Sequence, residues 1–124
     1  MEEDFRYSYS LRIWVSEGNY HKIEGILGVK PEPIEDELFS WWILEYIQKE
    51  NDEYIPYIEK FLSILDGKYE QLKEIGVERE DISIWKLYAY DSQCNMEFSP
   101  KDMYALGKEG ITLCVSCWDI HDYE

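Results

Sequence analysis

Near the start of the chain, F-R-Y-S-Y-S-L-R-I-W-V alternates with a period of two. Phe5, Tyr7, Tyr9, Leu11, Ile13 and Val15 fall on one side, and Arg6, Ser8, Ser10, Arg12, Trp14 and Ser16 on the other. Successive side chains of a strand point to opposite faces, so the stretch predicts a β-strand with one buried face. That strand commits the chain to a sheet that something else must cover.

The rest of the chain supplies the cover. Glu17-Gly18-Asn19 breaks the alternation, and Tyr20, Ile23, Ile26 and Leu27 recur at helical spacing before Gly28 and Pro31, a helix-stop pair. Lys30 to Glu37 carries Pro31 and Pro33 with Glu32, Glu35, Asp36 and Glu37, the composition of a solvated loop or sheet edge. Leu38 to Ile47 is dense in β-formers on both sides, with Phe39, Trp41, Ile43 and Ile47 on one and Leu38, Trp42, Leu44 and Tyr46 on the other.

Asn51-Asp52 fits a cap and Pro56 a first turn, ahead of an apolar stripe of Ile58, Phe61, Leu62 and Leu65 that Tyr69, Leu72 and Ile75 extend. Gly67 is placed to break this helical region and Gly76 to stop it. Asp81 to Tyr90 predicts a third strand. Ser99-Pro100-Lys101-Asp102 matches an N-cap, a first-position Pro and an acid three residues after the cap, so a helix follows and ends near Gly107 or Gly110. Ile111 to Ile120 predicts the last strand.

The order strand, helix, strand, long helical region, strand, helix, strand predicts an α+β fold. It is a two-layer sandwich, a mainly antiparallel sheet of about four strands with helices packed on one face. The 124 residues suit a single α+β domain spanning 1–124 with one core. With helices on the Leu11 and Ile13 side, the expected open face carries Arg6, Arg12, Trp14, Trp42, Tyr46, Thr112, Cys114 and Trp118.

The matching stretches Y-S-Y-S-L-R-I, K-I-E-G-I-L-G-V-K-P, S-W-W-I-L, Y-I-E-K-F-L-S-I-L and F-S-P-K-D-M-Y-A-L-G-K-E-G-I-T-L touch most of the chain. In these motifs and their order it resembles a bacterial family of small uncharacterised domains, a domain of unknown function. The family has an L-G-x-K-P helix stop and a Trp-containing second strand. Gly28 and Pro31 resemble its helix-ending turn; Pro33, Ile34 and the acids around them stand where the family usually has a Gly. The resemblance implies the fold and no reaction.

Chemistry finds little anchorage. His21 and His121 are the only histidines, and no Gly-rich phosphate loop, H-E-x-x-H or G-x-S-x-G is present. Cys117, Asp119 and His121 alternate on a strand, where the outer two lie about 14 Å apart, too far to share one ion. Cys114 and Cys117 spell C-x-x-C, but on a strand that odd spacing sends them to opposite faces about 10 Å apart, beyond disulfide reach. Cys117 is then expected as a small core residue and Cys114 on the open face. No cofactor, metal site or catalytic residue is expected.

Charge supplies the functional direction. The net charge is -15, from 27 acidic and 12 basic residues, which repels phosphate backbones and anionic lipid and favours a basic protein partner. No basic n-region or long apolar run is present, and three cysteines form no regular framework, so the expected location is the cytoplasm. Size, charge and aromatic content together point to an immunity-type protein that occludes a basic, nuclease-like bacterial toxin domain without catalysis. Glu35, Asp36, Glu37, Trp42, Tyr46, Trp14 and Trp118 are the expected partner-binding residues, on a monomer or homodimer with no nucleic-acid or membrane partner. The rival readings are a homodimeric regulatory domain that uses the aromatic face on itself, and a small-ligand enzyme in which Arg6 or Arg12 beside Trp14 holds an anion.

Overall fold

The computed structural model describes residues 5–31, 41–49, 52–91 and 93–120. Strand β1 (Phe5–Trp14) leads through a short 3-10 turn into helix α1 (Tyr20–Leu27), which Gly28 ends in the left-handed conformation at φ 78°. Strand β2 (Trp41–Lys49), helices α2 (Tyr57–Leu65) and α3 (Tyr69–Glu74), strand β3 (Ile82–Tyr90), helix α4 (Pro100–Glu109) and strand β4 (Thr112–Asp119) follow. The expected long helical region divides at Gly67, whose φ of 76° no helix accommodates. Asp52 serves a different end from the one expected: its carboxylate accepts the Lys49 N–H at 2.8 Å, closing the turn after β2, and α2 starts later behind Pro56. Ser99 does cap α4, accepting the Asp102 N–H at 3.1 Å, with Pro100 in the first turn.

The sheet order is β2-β1-β3-β4. β1 pairs antiparallel with both β2 and β3, and β3 pairs parallel with β4. The parallel pair follows from α4, since two parallel neighbours need a crossover connection and a helix provides one. The fold is α+β, with two of its three ladders antiparallel as expected.

The hydrophobic core lies between one sheet face and the helices. Tyr9, Leu11 and Ile13 of β1, Trp42 of β2 and Ile82 and Ile84 of β3 meet Ile23 of α1, Phe61 and Leu65 of α2, Leu72 of α3 and Leu106 of α4. One buried polar contact joins the layers: Gln48 Oε1 accepts the Tyr9 hydroxyl at 2.9 Å and the Ile55 N–H at 3.1 Å, tying the approach to α2 onto the central strand. The helices do not reach the far end of β4. Val115 is exposed and so is Cys117, which corrects the expectation of Cys117 as a core residue: β4 is an edge strand, and only its start is covered.

A candidate protein-binding face

Register decides which side chains occupy the face that, among the described residues, no helix covers. Ile13 lies opposite Trp42 and Leu11 opposite Leu44, so Trp42, Leu44 and Tyr46 share the helix-covered side. Trp42 is fully buried and Tyr46 stacks on Phe61 at 5.1 Å between ring centroids. Both were expected on the open face and belong to the other one. The second strand had apolar residues on both sides, and which side turned inward depended on its register with β1. Glu45 was the available signal: it shares a period with Trp41, Ile43 and Ile47, and a carboxylate marks the solvent side of a strand.

The open face is therefore built from four rows. β1 contributes Ser8, Ser10, Arg12 and Trp14; β2 contributes Trp41, Ile43, Glu45 and Ile47. β3 adds Ser83, Trp85, Leu87 and Ala89, and β4 adds Thr112, Cys114, Ser116 and Trp118. Four of the five tryptophans stand here, Trp41 and Trp85 in addition to the expected Trp14 and Trp118. Trp14, 49% exposed, meets Trp41 edge to face at 4.9 Å, and Trp118 stands opposite Ala89 at the β4 edge. Ile47, 49% exposed, stands further along β2, opposite Ser8. Glu35, Asp36 and Glu37 lie outside the described residues.

Arg12 and Glu45 are the charged members of these rows, and Lys49, exposed at the end of β2, continues the period of Glu45 and Ile47. Arg12 stacks over the Trp85 ring at 4.3 Å, and its Nε donates to Ser10 Oγ at 2.9 Å. Trp85 Nε1 in turn donates to Ser83 Oγ at 2.9 Å. Each large side chain is thus held by the serine two positions before it on its own strand. Burial pulls the Arg12 guanidinium below its ordinary pKa, and the Glu45 carboxylate works against that. A guanidinium stays charged through such a shift. Ser8 and Ser10 are buried under their larger neighbours, so this half of the β1 row lies low between the taller side chains of β2 and β3.

Concave surface lies elsewhere: an open hollow of about 670 Å³ is lined by Tyr54, Phe98 and Pro100 with Glu97 and Asp102. A groove of about 450 Å³ between α2 and α4 is lined by Leu62, Ser63 and Asp66 on one side and Lys101, Ala105 and Lys108 on the other. Among the described residues no group of three or more His, Cys, Asp or Glu side chains could hold a metal ion, and no helix is long and apolar enough to cross a membrane. The chain matches no protein-family model, no curated protein and no solved structure.

Proposed function

We propose that the chain is an immunity-type binding protein that neutralises a basic bacterial toxin domain by steric and electrostatic occlusion, with the open sheet face as the contact. The observation that carries this reading is a contrast. The chain holds a net charge of -15, yet its open face carries Trp14, Trp41, Trp85 and Trp118 with Arg12 and Glu45 among them and Lys49 at the end of β2. Interface centres are depleted in charge and enriched in aromatics, and Trp and Arg are the side chains that most often anchor binding. Acidic charge elsewhere on the chain steers a basic partner towards such a centre and excludes acidic ones. Glu35, Asp36 and Glu37, shortly before Trp41 in the sequence, add to that field.

The face is also prepared for binding before any partner arrives. Arg12 and Trp85 are locked by Ser10 and Ser83, so little side-chain entropy remains to be lost on association. Occlusion of this kind asks no chemistry of the chain. The test begins with the genes flanking this one: if one of them encodes a secreted protein with a variable C-terminal domain, that purified domain is titrated calorimetrically against the chain at two salt concentrations, whereas a metabolic operon contradicts the reading. Binding that weakens as salt rises supports the reading; no binding, or binding indifferent to salt, contradicts it.

A further inference from the structure

The hollow of about 670 Å³ is walled by chain that leads into two helices. Tyr54 comes from the approach to α2, Glu97 and Phe98 from the approach to α4, and Pro100 and Asp102 from the first turn of α4 itself. Both walls are anchored. Next to Tyr54, the Ile55 N–H donates to Gln48 Oε1 at 3.1 Å, and next to Phe98, Ser99 Oγ accepts the Asp102 N–H at 3.1 Å. The Phe98 ring lies 6.0 Å from the ammonium of Lys86, which stands opposite the buried Tyr9 on the helix side of β3. The hollow therefore belongs to the helical layer, on the other side of the sheet from the aromatic face.

Its lining combines two kinds of chemistry. Tyr54, Phe98 and Pro100 offer rings and apolar surface, and Glu97 and Asp102 offer carboxylates. No lysine or arginine lines it, and among the described residues neither carboxylate forms a salt bridge. We propose that this hollow binds an organic cation, a quaternary ammonium or guanidinium group on an apolar stem, with the rings and the proline against the stem and Glu97 and Asp102 balancing the charge. Other ligand classes leave part of the lining unmatched. An uncharged apolar ligand strips water from two carboxylates without compensation, and an anion is repelled by them. A hard metal ion asks for more oxygen ligands than two side chains present and gives the rings no part. An organic cation uses the whole lining, since aromatic faces attract cations and alkyl stems pack on apolar surface. At about 670 Å³ the hollow falls within the roughly 300–1,000 Å³ of small-molecule sites. Burial first and the Asp102 carboxylate second raise the Tyr54 hydroxyl above its ordinary pKa, which fits a ring and a carboxylate that share one hollow.

The experiment titrates the isotope-labelled full chain with three probes and follows its backbone amides by NMR. Choline carries a quaternary ammonium, neohexanol is its uncharged isostere with carbon in place of nitrogen, and N-acetylarginine amide carries a guanidinium as a polypeptide does. Saturable shifts at Tyr54, Phe98 and Asp102 from at least one cation, with none from neohexanol, are expected. Tighter binding of choline identifies a free quaternary amine as the kind of ligand, and tighter binding of the arginine amide a side chain of a basic polypeptide. Tyr54→Ala, at a position 62% exposed and so without a folding role, should weaken binding about 2–5-fold. Glu97→Gln combined with Asp102→Asn should abolish saturation. No saturable shift from either cation, equal shifts from neohexanol, saturation retained in the double variant, or shifts confined to the open sheet face would each overturn the proposal. The hollow and that face lie on opposite sides of the sheet, so none of these results bears on the toxin reading.

Discussion

Arg12 and Trp85 sit diagonally across the β1–β3 ladder, with the guanidinium carbon 4.3 Å from the indole centroid. Arg12 faces Ser83 and Trp85 faces Ser10, and each long side chain is hydrogen-bonded by its own strand's serine rather than by the one opposite. The serines are short enough to leave the diagonal clear, so the cation and the ring can meet above them.

Arg12→Ala should therefore cost about 1–2 kcal/mol of stability, the combined loss of a cation–π contact and a hydrogen bond. Arg12→Lys should fall between wild type and alanine, because it keeps the cation and loses the Nε donor to Ser10. Urea denaturation of the three proteins provides the check. Equal stability of all three would mean that the stack contributes nothing measurable.

Trp42 fills the core, and among the described residues its indole N–H has no hydrogen-bond partner. Trp42→Ala should cost about 3–5 kcal/mol through loss of buried surface and the cavity left behind. Trp42→Phe should cost about 1 kcal/mol or less, since removing an unsatisfied donor offsets part of the lost volume. Thermal and urea unfolding read both variants. A phenylalanine variant as unstable as the alanine variant would show that the indole N–H is satisfied in solution.

Alkaline pH should destabilise the protein. Burial raises the Tyr9 and Tyr57 hydroxyls above their ordinary pKa of 10.0, and burial followed by Glu109 pushes Tyr69 up to about 12. Above pH 10 the unfolded chain releases phenol protons that the folded protein retains. Stability is then fully present below pH 10 and declines by up to about 1.4 kcal/mol per pH unit for each buried phenol. Urea midpoints at pH 8, 9.5, 10.5 and 11.5 should fall only at the last two. Midpoints unchanged through pH 11.5 would contradict the buried state of these rings.

Much of this architecture can be read from the chain because local chemistry and tertiary packing agree. The alternation around Leu11, the Ser99-Pro100 cap and the breaks at Gly28, Gly67, Gly76 and Gly110 all appear where the sequence places them. The candidate face was legible in part: Trp14, Arg12, Cys114 and Trp118 were assigned correctly, while Trp42 and Tyr46 exchanged sides with Trp41. A strand apolar on both sides does not announce which side is inward; a one-residue change of register moves every side chain across the sheet. Cys117 was misassigned for a different reason. Alternation gives the face of a residue, but not how far along the strand the helical layer extends.

An exposed aromatic face can also pair with a second copy of itself. Two copies would bring their net charges of -15 together, so light scattering at about 0.15 M salt should report a monomer, where repulsion acts over roughly 8 Å. A stable dimer under those conditions would mean that the face is occupied by self-association and is not free for a toxin.

The most direct test of the proposed binding face compares two charge insertions in calorimetric titration with whichever basic toxin domain the chain is found to bind. Ile43→Glu places a carboxylate within the aromatic face, whereas Met103→Glu places one on α4, where Met103 is 55% exposed. The account predicts that Ile43→Glu weakens binding by roughly 100-fold or more, a loss typical of disrupting an interface hot spot, while Met103→Glu stays within about twofold of wild type. Full affinity in Ile43→Glu, with the loss in Met103→Glu instead, would place the contact on the helices and contradict it.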